Sequence, residues 1–387
     1  MLALTIQNTA TAPTTADSQA SELRAAMRLP GRLHFLDALR GLAALGVMLF
    51  HFAAKSVSPL HDPLVASLPG WISWPILHMD CGVEIFFVLS GFVIALSVDG
   101  IRHDLRYAGN FVLRRSLRLD PTYWAAAGLL VIYWLIRWPQ YAYEFYVLWG
   151  GLRGVLANMF YVQNLSFIYP TSSILGVSWT LCLEVQFYLC YLLVLVIAYY
   201  TAGLAGRHRH TLRDAVVMIT VASLGIWSLS HWLQQHTADF TGRSWMFLLG
   251  VATYAALRRN IPALAAATPF AALAICFCWR GDLEGIVATA TASSIYGVGA
   301  TGRLGRALAY RPLLYLGRIS YSLYLMHMVV GIYVLFFLHG ILGDSIPAAW
   351  ACFILAIAAS LISAELLHRC VEAPSNRLSR RLKLAAP

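Results

Sequence analysis

The sequence is poor in charge. Only 12% of its 387 residues are Asp, Glu, Lys or Arg, against about 25% in an ordinary soluble protein. Such a chain could not cover a globular surface in water with polar groups. Cysteine is sparse too: there are seven, no C-x-x-C pair, and most sit in apolar runs, such as Cys182, Cys190, Cys276 and Cys352. That pattern argues against a disulfide framework or a zinc site and reads as small buried hydrophobes. No apolar stretch follows a basic start within the first 30 residues, so no cleavable signal peptide is expected there. Ala, Thr, Ser and Gln dominate that region, so residues 1–31 are expected to form a disordered tail.

What the chain has in abundance is apolar sequence. Hydrophobic residues make up 59% and the mean hydropathy is +0.66. A membrane span needs about 20 mostly apolar residues. Ten candidates follow, roughly 34–54, 76–98, 122–137, 178–200, 214–233, 244–257, 263–279, 285–300, 319–339 and 347–367. The stretch 285–300 is the weakest. The aromatic segment 141–168, with Gly150, Gly151 and Gly154, suggests a re-entrant or interfacial element. Lipid-exposed backbone must satisfy its own hydrogen bonds, so the spans are helices. The expected fold is all-α: a polytopic membrane helical bundle of about ten transmembrane helices. Residues 32–370 form the membrane domain and 371–387 a cytoplasmic C-terminal tail.

The basic residues give an orientation. With the N-terminus in the cytoplasm, 22 of the 28 Lys and Arg fall on the inner side. Lys55, Arg137, Arg153, Arg243 and Arg280 fall at the outer side or rim, and Arg40 lies within the first span. This asymmetry places both termini inside. It also attributes the net charge of +10 to topology, leaving no nucleic-acid partner to invoke.

Polar groups within the spans are costly, about 2.5–3.5 kcal/mol for a charge at mid-bilayer, and call for a reason. The first span holds Asp37, Arg40 and His51. Arg40 and His51 are eleven residues apart, nearly three helical turns, and therefore share a face about 16 Å apart along the axis. A plainer reading pairs Arg40 with Asp37 and leaves His51 at the interface. The second span carries Glu84 and Ser90, the fourth Glu184, and the ninth His327. Glu84, Glu184 and His327 are expected to form one polar interior cluster; polar glue between helices is the alternative. Before the third span, Arg115 and Arg118 are spaced to share one helical face. Paired guanidiniums suit phosphate groups, although ordinary inner-side anchoring accounts for them as well. Gly297-Val-Gly-Ala-Thr-Gly302 matches a dinucleotide fingerprint in letters only, because it closes an apolar span instead of joining a strand to a helix.

Several of these motifs together resemble the acyltransferase-3 family of integral-membrane acyltransferases, which includes bacterial O-antigen and exopolysaccharide O-acetylases. The likeness rests on Leu36-Asp37-Ala-Leu-Arg40-Gly41 with His51, on Gly82-Val-Glu84-Ile-Phe-Phe-Val-Leu-Ser90-Gly91-Phe92, and on Arg115-Ser-Leu-Arg118 followed by Pro121 and Tyr123. It continues through Ser178-Trp-Thr-Leu-Cys-Leu-Glu184 with Tyr188, Ile319-Ser-Tyr-Ser-Leu-Tyr-Leu-Met-His327 and Val371-Glu372-Ala-Pro374, covering residues 32–377.

The resemblance implies a bacterial inner-membrane enzyme. It would take an acyl-CoA donor, usually acetyl-CoA, and a hydroxyl acceptor, usually on a cell-envelope carbohydrate or glycolipid. It marks Arg40, His51, Arg115, Arg118 and Glu184, and also Glu84, Ser90, Tyr123 and His327. His51 is then the expected general base, with Arg40 orienting the donor or stabilising an oxyanion. Glu184 or Glu84 would fix a histidine tautomer, and an acyl-histidine relay stays open. Arg115, Arg118, Tyr123 and Ser90 are expected on the donor side, and no metal is expected. Some members carry a fused extracytoplasmic hydrolase-like domain, and none is expected here. The competing class is a transporter or flippase of a polar or lipid-linked glycan, which would need no acyl-CoA.

Overall fold

The computed structural model describes residues 33–99, 104–137, 151–165, 173–203, 209–235, 239–259 and 261–381. The expected tail 1–31 and parts of the aromatic 141–168 segment lie outside them. Among the described residues there is no strand. Ten long helices follow one another: α1 (His34–Ala53), α2 (Gly82–Val98), α3 (Leu105–Arg137), α4 (Trp179–Gly203), α5 (Arg209–Gln235), α6 (Phe240–Arg258), α7 (Ala263–Arg280), α8 (Leu283–Ala300), α9 (Arg311–Leu342) and α10 (Ile346–Arg381). Each contains or overlaps one of the ten apolar stretches.

Seven of them, α1–α4, α7, α9 and α10, are long and apolar enough to cross a membrane. The other three carry more polar residues. In α6 these are partly explained by burial, since nearly the whole stretch from Gly242 to Tyr254 is packed inside the bundle. Short helices His61–Ser67 and Gly70–Ile76 link α1 to α2, and Gly151–Met159 lies between α3 and α4.

Local chemistry sets several helix ends. Asp239, Asp282 and Ser345 cap α6, α8 and α10 by accepting from the backbone N–H three residues on, as short oxygen side chains at this position do. Gly281 ends α7 in the left-handed region (φ +67°), which a glycine enters without a Cβ penalty.

Two differences from the sequence expectation matter for the site. Helix α3 begins at Leu105, well before 122, so Arg115 and Arg118 stand on a continuous 33-residue helix with Pro121 inside it. Residues 371–381, expected as part of a tail, continue α10 through a π turn (His368–Glu372) to Arg381 and pack against α3. A second π turn, His327–Gly331, interrupts α9.

The bundle is tightest where α1 meets α9 and α2 meets α6, and glycines make both contacts possible. A Cβ on Gly317 would collide with the Asp37 carbonyl, and one on Gly41 with the Gly317 backbone. On the other pair, a Cβ on Gly91 would strike the Phe247 carbonyl and one on Gly250 the Val88 carbonyl. Apolar attraction between helices is weak in lipid, so close backbone approach and dispersion contacts hold such pairs. Helices α1 and α2 also pack on each other, α10 lies on α9, and α4 joins α2, α3, α5 and α6. This arrangement brings α1, α2, α3, α4 and α9 around one polar interior.

Candidate active site

A cavity of about 70 Å³ lies among those five helices. Arg40 from α1, Ser90 from α2, Arg115 and Arg118 from α3 and Glu184 from α4 line it. Thr180, Ser320, Tyr321 and Tyr324 complete its polar wall, and Phe86, Phe87, Leu89, Val93, Leu119 and Leu181 its apolar one. Five of the residues marked in the sequence therefore meet in one place. Three guanidiniums face a single carboxylate among the lining residues, so the cavity is cationic. Arg115 is buried, its guanidinium 5.5 Å from the centre of the Phe111 ring. A cation in such a setting is costly without a counter-anion, which suits the cavity to an anionic or anion-forming ligand.

The histidines form a second station. His51 and His327 are held face to edge-tilted, with ring centroids 5.1 Å apart. Each Nδ1 lies close to the backbone carbonyl four residues earlier: His51 to Val47 at 2.8 Å and His327 to Leu323 at 3.1 Å. A carbonyl only accepts, so both rings are Nδ1–H tautomers in these bonds and each Nε2 keeps a lone pair. The His327 Nε2 is buried with no hydrogen-bond partner. Tyr324 connects the stations. It lines the cavity, its ring centroid is 5.8 Å from that of His327, and its hydroxyl is 2.9 Å from the Thr180 hydroxyl.

Glu84 lies elsewhere than the expected single cluster. Arg243 of α6 donates to it at 2.6 Å and also pairs with Glu284 of α8 at 3.0 Å. The Arg243 guanidinium lies 5.2 Å from the ring centre of Trp179 and 4.9 Å from that of Trp232. Thus Glu84 joins α2 to α6 and α8, whereas Glu184 faces the arginines. Arg243, placed by sequence at the outer rim, is buried.

Tyr123 is also separate from the cavity lining. It is buried against Tyr161, with ring centroids 5.1 Å apart. Glu372, in the π turn of α10, accepts from the Ser322 hydroxyl at 2.6 Å, and its carboxylate is 3.1 Å from the His368 Nδ1. That contact ties α10 to the segment of α9 that carries Tyr321 and Tyr324. Tyr321 in turn donates to the Leu119 carbonyl of α3 at 3.0 Å, next to Arg118. Among the described residues no group of three or more His, Cys, Asp or Glu is placed to hold a metal ion.

A cationic buried cavity beside two basic imidazole nitrogens can bind an anion and accept a proton within one membrane interior. Comparison with known proteins gives the family. The model of an acyltransferase domain, Acyl_transf_3, matches residues 33–365. A protein named as a membrane-bound transacylase, BcsY from Komagataeibacter xylinus, is 27% identical over 86% of this chain and 81% of its own length. The O-acetyltransferase OatA of Staphylococcus aureus (strain NCTC 8325 / PS 47) is 26% identical over 90% of this chain, which spans only 58% of that relative. Nodulation protein 10 of Rhizobium leguminosarum bv. viciae is 29% identical over 52% of each chain. No solved structure matches. A family match over most of its length, with described residues that form a helical bundle of seven membrane-length helices around a cationic cavity, makes this chain an integral-membrane O-acyltransferase belonging to the acyltransferase-3 family.

Proposed function

We propose that the enzyme moves an acyl group, acetyl in the simplest case, from acyl-CoA to a hydroxyl of a cell-envelope carbohydrate or glycolipid. The observation that carries this reading is the cavity in which Arg40, Arg115, Arg118 and Glu184 converge, coupled through Tyr324 to the His51–His327 pair.

The donor brings phosphates that cannot enter hydrocarbon. Arg115 and Arg118 offer paired, permanently charged donors for them. The basic asymmetry of the loops puts this end of the bundle at the cytoplasm, where acyl-CoA is made. The narrow pantetheine arm then leads the thioester between the helices towards the histidines.

At the reaction centre the His51 Nε2 takes the proton of the acceptor hydroxyl as its oxygen attacks the thioester carbonyl. The Nδ1–H bond to Val47 holds the tautomer that leaves Nε2 basic. Arg40, about three turns from His51 along α1 and beside Arg115 and Arg118 in the cavity, orients the donor. Collapse expels the CoA thiolate, which recovers the proton from the imidazolium. General-base help of this kind contributes about 10²–10⁴-fold. His327 packs against the His51 ring, and the tautomer-holding role expected of a carboxylate falls to the Val47 carbonyl. A closed interior also limits loss of the thioester to water.

The acceptor class rests on the family resemblance and on the name of OatA, an O-acetyltransferase. The test is direct. Purified enzyme in lipid nanodiscs is given isotope-labelled acetyl-CoA with envelope glycans, and label in alkali-labile ester is measured. Ester formation that depends on acetyl-CoA and vanishes with His51→Gln supports the reading. Label transfer that persists in a folded His51→Gln enzyme refutes the base assignment. No ester on any envelope sugar or lipid refutes the acceptor class. A glycan transporter would need no donor at all.

A further inference from the structure

A second and larger cavity lies across α2 from the candidate active site and farther along α4. It measures about 510 Å³, among α2, α4, α5, α6 and α7. Its walls are apolar and include small residues, Ala222 and Gly225 on α5 and Ala252 on α6. Ala252 is exposed although its neighbours Val251, Thr253 and Tyr254 are buried, so the hollow itself exposes it. Ile226, another wall residue, is 70% exposed. The cavity is therefore a groove that opens sideways where the bundle faces lipid.

One end of this groove is charged. Arg258 pairs with Asp99 at 2.6 Å, and Asp99 also accepts from the Tyr254 hydroxyl at 2.7 Å. Arg259 lines the same end, is exposed and makes no ion pair among the described residues. Two cations and one anion leave that mouth with an unbalanced positive charge. From Arg258 to Trp245, at the other end of the lining on α6, is thirteen residues, about 20 Å of helix. One leaflet of hydrocarbon is about 15 Å deep. The groove thus has the length of one acyl chain with its headgroup beside the arginines.

We propose that this groove binds an anionic phospholipid, one acyl chain along α5 and α6 and the phosphate at Arg258 and Arg259. Basic pockets between membrane helices are suited to such headgroups, and a laterally open apolar slot suits a chain already dissolved in the bilayer. The site is distinct from the acyl-transfer cavity. Its ligand would brace α2, which carries Ser90, from behind, and would touch α4 beyond Glu184.

The test uses the full chain in detergent and native mass spectrometry, titrated with dioleoyl phosphatidylglycerol or dioleoyl phosphatidylcholine. The phosphatidylglycerol adduct should be retained in preference to the phosphatidylcholine one. Arg259→Gln should weaken the anionic adduct about fivefold, the weight of one basic residue at a membrane surface. Ala252→Phe should remove it by filling the slot, and Ala222→Leu on the facing wall should weaken it if the first variant does not fold. Inorganic phosphate at millimolar concentration should not displace it, since the chain supplies most of the binding. Equal retention of both lipids with no effect of Arg259→Gln would overturn the anionic assignment. Unchanged binding in a folded groove-filling variant would place the lipid elsewhere. Displacement by phosphate alone, or preferential retention of a co-purified glycolipid, would replace the proposed occupant.

Discussion

His51 and His327 stand 5.1 Å apart, ring centre to ring centre, although they come from the first and ninth long helices. Each donates its Nδ1–H into its own helix, so the two basic nitrogens are left for chemistry at the junction. The relationship depends on the close contact of α1 with α9, which Gly41 and Gly317 permit.

Removing the base should be severe. His51→Gln should lower kcat by about 10²–10⁴-fold while donor binding is retained. Single-turnover transfer from labelled acetyl-CoA, with donor binding measured separately, checks this.

The two histidines should act as a unit. His327→Asn alone should cost a large part of what His51→Gln costs, and the double variant little more than His51→Gln, because residues sharing one task are strongly non-additive. Simple multiplication of the two defects would mean that they work independently.

The arginines should govern the donor. Arg118→Ala removes charge-assisted hydrogen bonds worth about 1.5–3 kcal/mol each. It should raise the KM for acyl-CoA by about tenfold or more. Arg118→Lys should restore only part of this, since an ammonium lacks the planar fork. Steady-state kinetics over donor concentration is the measurement. A defect confined to kcat would move Arg118 from phosphate binding to the reaction centre.

Glu84 should matter for stability before it matters for turnover. Breaking a buried ion pair by removing one partner costs about 3–5 kcal/mol. Glu84→Gln should fall near the lower figure, because Glu284 remains beside Arg243. Thermal unfolding in detergent should show the loss, and the double variant Glu84→Gln with Arg243→Met should recover part of it. The folded fraction of Glu84→Gln should keep most of its specific activity.

Gly91 should tolerate no side chain. Its Cβ would meet the Phe247 carbonyl, a backbone atom that cannot swing aside. Gly91→Val should force α2 away from α6 and lower the unfolding temperature more than Gly128→Val, at a position open to its surroundings.

Much of the fold is legible from local sequence. A run of apolar residues long enough to cross hydrocarbon must be helical, because nothing in lipid can bond its backbone. All ten stretches are helical, including the weak 285–300, and seven of the helices are long and apolar enough to cross. The start of α3 was not legible. Arg106, Arg114, Arg115 and Arg118 lower the hydropathy there, yet charged residues propagate a helix well, and packing against the end of α10 supports it.

The sequence by itself determined the material of the site: costly polar side chains on otherwise apolar helices, and the shared face of Arg40 and His51, because helical periodicity is a local property. Only the tertiary structure decided the partners. It put Glu184 with Arg40, Arg115 and Arg118, gave Glu84 to Arg243, and brought His327 to His51. No local pattern records which face of one helix meets which face of another. Those pairings are fixed by close packing of whole helices, above all where a glycine lets two backbones touch.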